Sequence, residues 1–155
     1  MEYLDVTLRL AVAALCGVAL GLNRDLRGKP TGVRTLGLVG LGSCIVVLAV
    51  AHGHSETNNI GRVIQGIVTG IGFLGAGVIV RNSMGKQVHG LTTAACVWLT
   101  AGVGAACAVG EWKIIVLSTP MTAVILVYGG AFEKWVHSKW PGPEPSSGPD
   151  NFDDY

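Results

Sequence analysis

Charged side chains are scarce in this sequence. Asp, Glu, Lys and Arg make up 14% of its 155 residues, against about 25% in a typical soluble domain. The formal net charge is +1, so the chain has no overall basic field of the kind that attracts nucleic acid. Half of the residues are hydrophobic and the mean hydropathy is +0.51. The composition indicates a polytopic membrane protein with no nucleic-acid partner.

Acidic residues are missing from the interior of every apolar run. Carboxylate oxygens are the usual ligands of Mg²⁺ and the usual groups of a proton relay. Their absence argues against a divalent-cation pathway or a relay through the spans. The sequence also lacks a P-loop, a CxxC pair and a nucleophile–base set. We therefore predict a protein that is not an enzyme, with no cofactor and no metal site.

One histidine-rich array comes closest to a set of metal ligands. His52, His54 and Glu56 are spaced at alternate positions in a loop between two apolar runs. A catalytic zinc site needs three protein ligands held rigidly, and a glycine-containing loop holds them poorly. This array does not change the prediction that no metal is bound.

Glycine is abundant, and it is concentrated in the run between Arg62 and Arg81. The 18 residues between these arginines carry no charge, and as a helix they span roughly 27 Å, close to the thickness of a bilayer's hydrocarbon core. Small residues let membrane helices approach closely. We predict that a groove of five glycines is filled by other helices of the same protein. The five are Gly66, Gly70, Gly72, Gly75 and Gly77.

Four further apolar runs predict an all-α fold of five transmembrane helices in a glycine-rich bundle. The other predicted spans are Leu4–Leu22, Leu36–Ala51, Gly90–Val109 and Ile114–Phe132. The second can start as early as Val33, and Pro120 is predicted to break the last, where Ser118 and Thr119 would satisfy freed backbone groups. Gly17 and Gly21 form a small-residue pair that predicts a packing face on the first helix. Residues 1–140 form the membrane domain, and the proline- and acid-rich segment 141–155 is predicted to be disordered.

The cations predict how the chain crosses the membrane. Eight of them lie in the first and third loops and at the carboxyl end, and three lie on the other side. Because cytoplasmic loops carry the excess of Lys and Arg, we predict an outside N-terminus and a cytoplasmic C-terminus.

Three polar residues share one face of the third helix. Arg62, Gln65 and Thr69 are three and four positions apart, so they lie on one side of the helix. They either contact an ion, a ligand or a partner membrane protein, or form interhelical hydrogen bonds that hold the bundle together.

Two other clusters are candidate sites. Thr92, Thr93 and Trp98 begin the fourth helix, and we predict that Thr92 caps it, since a hydroxyl there accepts from free backbone N–H groups. The loop after the first helix and the start of the second carry Arg24, Asp25, Arg27, Arg34 and Thr35. These charges are either topology determinants with a surface salt bridge, or they bind an anion, a lipid headgroup or an acidic patch of a partner.

Three segments resemble the MgtC/SapB family, also called the magnesium-transport protein C family. They are GLNRDLRGKPTGVRTLGLVGLG (21–42), RVIQGIVTGIGFLGAGVIVR (62–81) and GLTTAACVWLTAGVGAACAVG (90–110). The positions that match the family's motifs are Arg24, Asp25, Lys29, Gly32, Arg34, Thr35, Arg62, Gly66, Thr69, Gly70, Gly72, Phe73, Gly75, Gly77, Gly90, Thr92, Thr93, Ala94 and Trp98. The family's usual Gly-x-Glu-Arg-Glu after the first helix reads Gly-Leu-Asn-Arg-Asp here.

The resemblance implies a five-helix domain of the bacterial inner membrane. It also implies a link to growth at low magnesium, to survival inside host cells (virulence) and to restraint of the F-type ATP synthase. Long members carry a soluble domain after the fifth helix, where this sequence has a short acidic segment. We expect a protein that acts in the lipid bilayer by helix–helix contact with a membrane partner and forms a homo-oligomer, a dimer. The alternative is a small oligomeric ion (Mg²⁺) transporter or channel-like protein, with Arg62, Gln65 and Thr69 at its entrance.

Overall fold

The computed structural model describes residues 2–51, 57–81 and 88–140. In this part of the chain five helices are long and apolar enough to cross a membrane, which confirms the predicted all-α class. The helices are α1 Tyr3–Asp25, α2 Val33–Ala51, α3 Thr57–Val78, α4 Leu91–Val109 and α5 Trp112–Lys139. Between α3 and α4 a two-residue antiparallel ladder pairs β1 (Val80–Arg81) with β2 (Val88–His89). The predicted disorder of 141–155 and the array of His52, His54 and Glu56 lie outside the described residues.

The fifth helix is continuous, so the predicted break at Pro120 is wrong. The proline lies inside α5, and membrane helices tolerate the lost hydrogen bond because neighbouring groups compensate. Ser118 and Thr119, which were predicted to satisfy the freed backbone groups, do not do so. The Thr119 hydroxyl contacts the Cys16 sulfur at 3.8 Å, and the buried Ser118 hydroxyl has no hydrogen-bond partner among the described residues. Helix α2 starts at Val33, the earlier of the two predicted positions.

Glycines join α1, α2 and α4 into the core of the bundle. A methyl group built on Gly17 would collide with the Leu36 carbonyl oxygen, and one on Gly104 would collide with that of Gly40. On Gly40 it would lie 2.8 Å from the Ala13 carbonyl oxygen. These three helices therefore touch backbone to backbone, and the predicted packing face on α1 is confirmed. Helix α4 lies at the centre and contributes the largest share of buried residues.

An arginine ties the helices at one end of the bundle, which we call the Arg9 end. Arg9 forms an ion pair with Asp5, with Nε 3.0 Å from a carboxylate oxygen, and its Nη1 donates to the Ala108 carbonyl at 2.7 Å. It therefore satisfies one of the carbonyls that the C-terminus of α4 leaves free. At the other end, the Arg24 end, lie the C-terminus of α1 and the N-terminus of α4.

The glycine groove of α3 is not filled by the other described helices, which corrects the prediction. A methyl group on Gly66, Gly70, Gly72 or Gly77 would have no described atom within 4 Å, and only Gly75 is close to a neighbour, Ala94, at 3.5 Å. The opposite side of α3 packs on the core instead, through Ile60, Val63, Ile64, Ile67 and Ile71. Branched apolar side chains bury more area than glycine, so they turn inward and leave Gly66, Gly70, Gly72 and Gly77 exposed.

Replacing Gly40 by alanine is expected to destabilise the bundle by about 1–3 kcal/mol, because overpacking against a rigid backbone costs this much. Gly42 is the matched control in the same helix, since a methyl group there meets no described atom within 4 Å. Gly42→Ala should leave the protein as stable as the wild type or slightly more so. The measurement is thermal unfolding in detergent, and equal midpoints for the two variants would contradict backbone contact at Gly40.

Candidate functional site

A cavity of about 590 Å³ opens at the Arg24 end, between the C-terminus of α1, the N-terminus of α4 and the second half of α5. Three cations and one carboxylate line it, together with the first threonines of α4. We call it the basic pocket, and its polar lining includes Arg24, Arg27, Lys29, Thr92, Thr93 and Glu133. Its apolar wall comes from α5. The pocket combines positive charge with a hydrophobic side.

Arg24 is buried at the base of this pocket, with 4% of its surface exposed. Its Nε and Nη2 atoms each donate to the Pro30 carbonyl at 3.2 Å, and Nη2 also donates to the Thr93 hydroxyl. Nη1 lies 3.4 Å from the Cys96 sulfur. All these partners are uncharged. The arginine therefore links the loop after α1 to the first turns of α4 while its charge stays unneutralised by any of them.

Asp25 holds the loop that covers Arg24. Its Oδ2 accepts a hydrogen bond from the Val33 N–H at 2.9 Å, at the N-terminus of α2, where a negative charge is favoured. A methyl group on Gly32 would collide with this carboxylate, so a larger residue there would displace it from the Val33 N–H. No described guanidinium lies within 4 Å of Asp25. The predicted surface salt bridge is therefore wrong for this residue, because the α2 N-terminus takes the carboxylate.

The prediction that Thr92 caps the N-terminus of α4 is wrong. Gly90 precedes the helix with a φ of 97°, and no side chain caps it, so Thr92 is not the cap. A methyl group on Gly90 would collide with the Val78 carbonyl, which shows how tightly the chain turns here. Thr92 is exposed in the basic pocket, and the buried Thr93 accepts from Arg24.

The other predicted site residues lie elsewhere. Arg34, Thr35 and Gly70 line a groove of about 560 Å³ between α2 and α3. The half-exposed Trp98 lines a smaller groove of about 340 Å³ between α3 and α4, with Gly72. The structure therefore separates Arg34 and Thr35 from Arg24, and Trp98 from the neighbouring Thr92 and Thr93.

The polar line on α3 is exposed along its length. Arg62, Gln65 and Thr69 lie on the outer side of the helix, and they line none of these three cavities. Gly66 lies beside them on the same side. These residues therefore do not take part in the basic pocket.

Sequence reasoning missed a residue that binds Arg24 beneath the basic pocket and the part of the pocket lining that comes from α5. The Cys96 sulfur accepts a hydrogen bond from Arg24. Its position three residues after Thr93, on the same helical face, was the available signal. Glu133 and the small pair Gly129–Gly130 line the pocket from α5. No local pattern connects them to Arg24, since the contact depends on how α5 crosses α1.

The described structure is that of a multi-pass membrane protein with a basic pocket at one end. Comparison with known proteins identifies the family within this class. The profile of the MgtC family matches residues 10–135, and the chain belongs to the MgtC family. No solved structure matches the chain.

Three relatives illustrate the similarity. The chain is 34% identical to SrpB of Synechococcus elongatus over 152 residues, which cover 90% of this chain and 84% of SrpB. It is 35% identical to YhiD of Escherichia coli K12 over 130 residues, 79% of this chain and 59% of YhiD. It is 40% identical to MgtC of Salmonella typhimurium LT2 over 112 residues, 72% of this chain and 47% of MgtC. The alignment thus covers about half the length of MgtC and most of SrpB.

Thr93→Val is expected to destabilise the protein by about 1–3 kcal/mol, because it removes a hydroxyl acceptor from the buried guanidinium of Arg24. Thr92→Val is the matched control: the neighbouring threonine is exposed and makes no bond to Arg24, so its effect should stay within about 0.5 kcal/mol. Thermal unfolding in detergent compares the two. A midpoint for Thr93→Val equal to that of the control would show that the hydroxyl contributes nothing.

Proposed function

We propose that this protein is a non-enzymatic regulator in the bacterial inner membrane, and that it acts by contacting another membrane protein through one face of α3. The observation that carries the proposal is an exposed strip on α3 that none of the described helices covers. We call it the α3 outer face, and it comprises Arg62, Gln65, Gly66, Thr69, Gly70, Phe73 and Gly77.

The chemistry of this face fits a helix better than it fits lipid. Gln65 and Thr69 are polar side chains within a span, and neither has a hydrogen-bond partner in the described part of the chain. Lipid tails offer no such partner. Association of membrane helices is driven by close packing at small residues and by interhelical hydrogen bonds. The glycines form a groove for a partner helix. Phe73, 84% exposed, provides a large side chain that can fill a groove on that partner.

Family membership supports a physiological setting for this contact. One relative, YhiD, is named as a candidate magnesium transporter, and the family resemblance implies growth at low magnesium, intracellular survival and restraint of the F-type ATP synthase. We propose that this chain serves low-magnesium adaptation by restraining such a partner. We also propose that it works as a homodimer, with its N-terminus outside and its C-terminus in the cytoplasm.

Gly66→Leu is expected to reduce the amount of co-purifying partner about tenfold or more, equivalent to ~1.4 kcal/mol, because leucine fills the groove of the α3 outer face. The protein should still insert and fold, since no described atom lies within 4 Å of the added side chain's first carbon. The measurement is gentle purification with mass spectrometry at low and at high magnesium.

Gly102→Leu on α4 is the matched control, because a methyl group there also meets open space but lies outside the α3 outer face. It should retain the partner. Equal partner recovery with Gly66→Leu and Gly102→Leu would contradict the proposed contact face.

A second candidate function is an oligomeric Mg²⁺ transporter, which the polar line on α3 favours. Arg62, Gln65 and Thr69 would line a pathway only between copies of the chain, since they face away from its own bundle. The carboxylates within the described helices, Asp5, Asp25 and Glu133, lie near helix ends, which gives a bare Mg²⁺ few ligands at the centre of a span.

Flux in proteoliposomes separates the two functions. Transport predicts Mg²⁺ uptake that Gln65→Ala lowers about tenfold, because the amide is the polar group in the middle of the line. Absence of uptake, or uptake unchanged by Gln65→Ala, would remove the transporter and leave the contact proposal in place.

A further inference from the structure

The basic pocket holds more positive than negative charge. Arg24, Arg27 and Lys29 contribute three cations, and Glu133 contributes one carboxylate, so these groups sum to +2. Arg27 donates to the Val127 carbonyl at 3.0 Å, and no described partner binds the Lys29 ammonium. The uncompensated charge favours an anion.

The burial of Arg24 also favours an anion in the pocket. A buried charge is costly unless an opposite charge or strong hydrogen bonds compensate it. Arg24 is 4% exposed and bonds to a carbonyl, a hydroxyl and a thiol, all of them neutral. An anion in the cavity beside it would lower the electrostatic cost of burying this guanidinium.

The start of α4 adds a third source of positive potential. Gly90, Thr92 and Thr93 line the pocket, and no side chain caps this 19-residue helix. The first N–H groups of a helix have no partner within it and carry the positive end of its dipole. Phosphate groups bind at such helix ends when backbone N–H groups and nearby cations meet.

The position of the pocket points to the level of the lipid headgroups. Helix α5 has 28 residues, roughly 42 Å at about 1.5 Å per residue, so it is longer than the hydrocarbon core. Trp135 and Trp140, 52% and 72% exposed, lie near its C-terminus, where aromatic residues mark the membrane–water interface. Ile125 and Leu126 give the pocket an apolar wall, beside which an acyl chain fits.

We propose that the basic pocket binds a phosphate-bearing anion, supplied either by the headgroup of an anionic phospholipid or by free phosphate. Arg24 and the start of α4 form its base, and Arg27 and Lys29 its rim. The proposal does not depend on the α3 outer face, so either can fail alone.

The test uses the full chain in nanodiscs and the double variant Arg27→Gln/Lys29→Gln, which leaves the buried Arg24 in place. Lys113→Gln/Lys139→Gln is the matched control, because it removes the same charge from exposed lysines that do not line the pocket. Size-exclusion profiles check that both variants fold. One arm compares phosphatidylglycerol with phosphatidylcholine nanodiscs, and the other adds inorganic phosphate to phosphatidylcholine nanodiscs, against chloride at matched ionic strength.

The readouts are the thermal midpoint and the bound ligand seen by native mass spectrometry. A rise of the midpoint in phosphatidylglycerol alone assigns the pocket to a lipid headgroup, and a rise with inorganic phosphate assigns it to free phosphate. In either case the pocket variant should bind roughly 30-fold more weakly and the control should bind as the wild type does. Absence of both effects, or equal losses in the two double variants, would overturn the proposal.

Discussion

Backbone contact at three glycines is the constraint on which the rest of this protein depends. Gly17, Gly40 and Gly104 bring α1, α2 and α4 together so closely that a single methyl group would meet a carbonyl oxygen. In a bilayer no hydrophobic force drives helices together, so van der Waals packing and polar contacts must do it. The small residues are therefore what makes a stable three-helix core possible.

This close packing determines where the charges lie. Because α1 and α4 run side by side, Arg24 reaches the first turns of α4 from the end of α1, and Arg9 reaches the last turn of α4 from the start of α1. Each arginine satisfies backbone or side-chain acceptors at one end of the core. The two arginines differ in how their charge is neutralised. Arg9 has Asp5 as a counter-ion, whereas Arg24 bonds to neutral groups. That difference makes the Arg24 end the electrostatically incomplete one.

The two remaining helices lie at the edge of the core and present different surfaces outward. Helix α5 exposes large apolar side chains along its length, such as Leu117, Ile125 and Phe132, which suit lipid. Helix α3 exposes glycines with Gln65 and Thr69, which suit another helix. The exposed glycine face of α3 and the basic pocket therefore lie in different places on the molecule.

The sequence by itself determined the number of spans, their approximate bounds and the family. The spans can be found from sequence because the hydrocarbon thickness of the bilayer sets their length and the lack of water in it requires apolar helices. It also identified the packing pair on α1, since Gly17 and Gly21 are spaced one helical turn apart. It misplaced the packing role of the α3 glycines, the cap of α4 and the effect of Pro120. Only the tertiary structure decided these, because which side of a helix turns inward depends on the neighbour it meets. The basic pocket is also a product of tertiary structure: its cations come from α1 and the following loop and its carboxylate from α5, and no sequence spacing relates those segments.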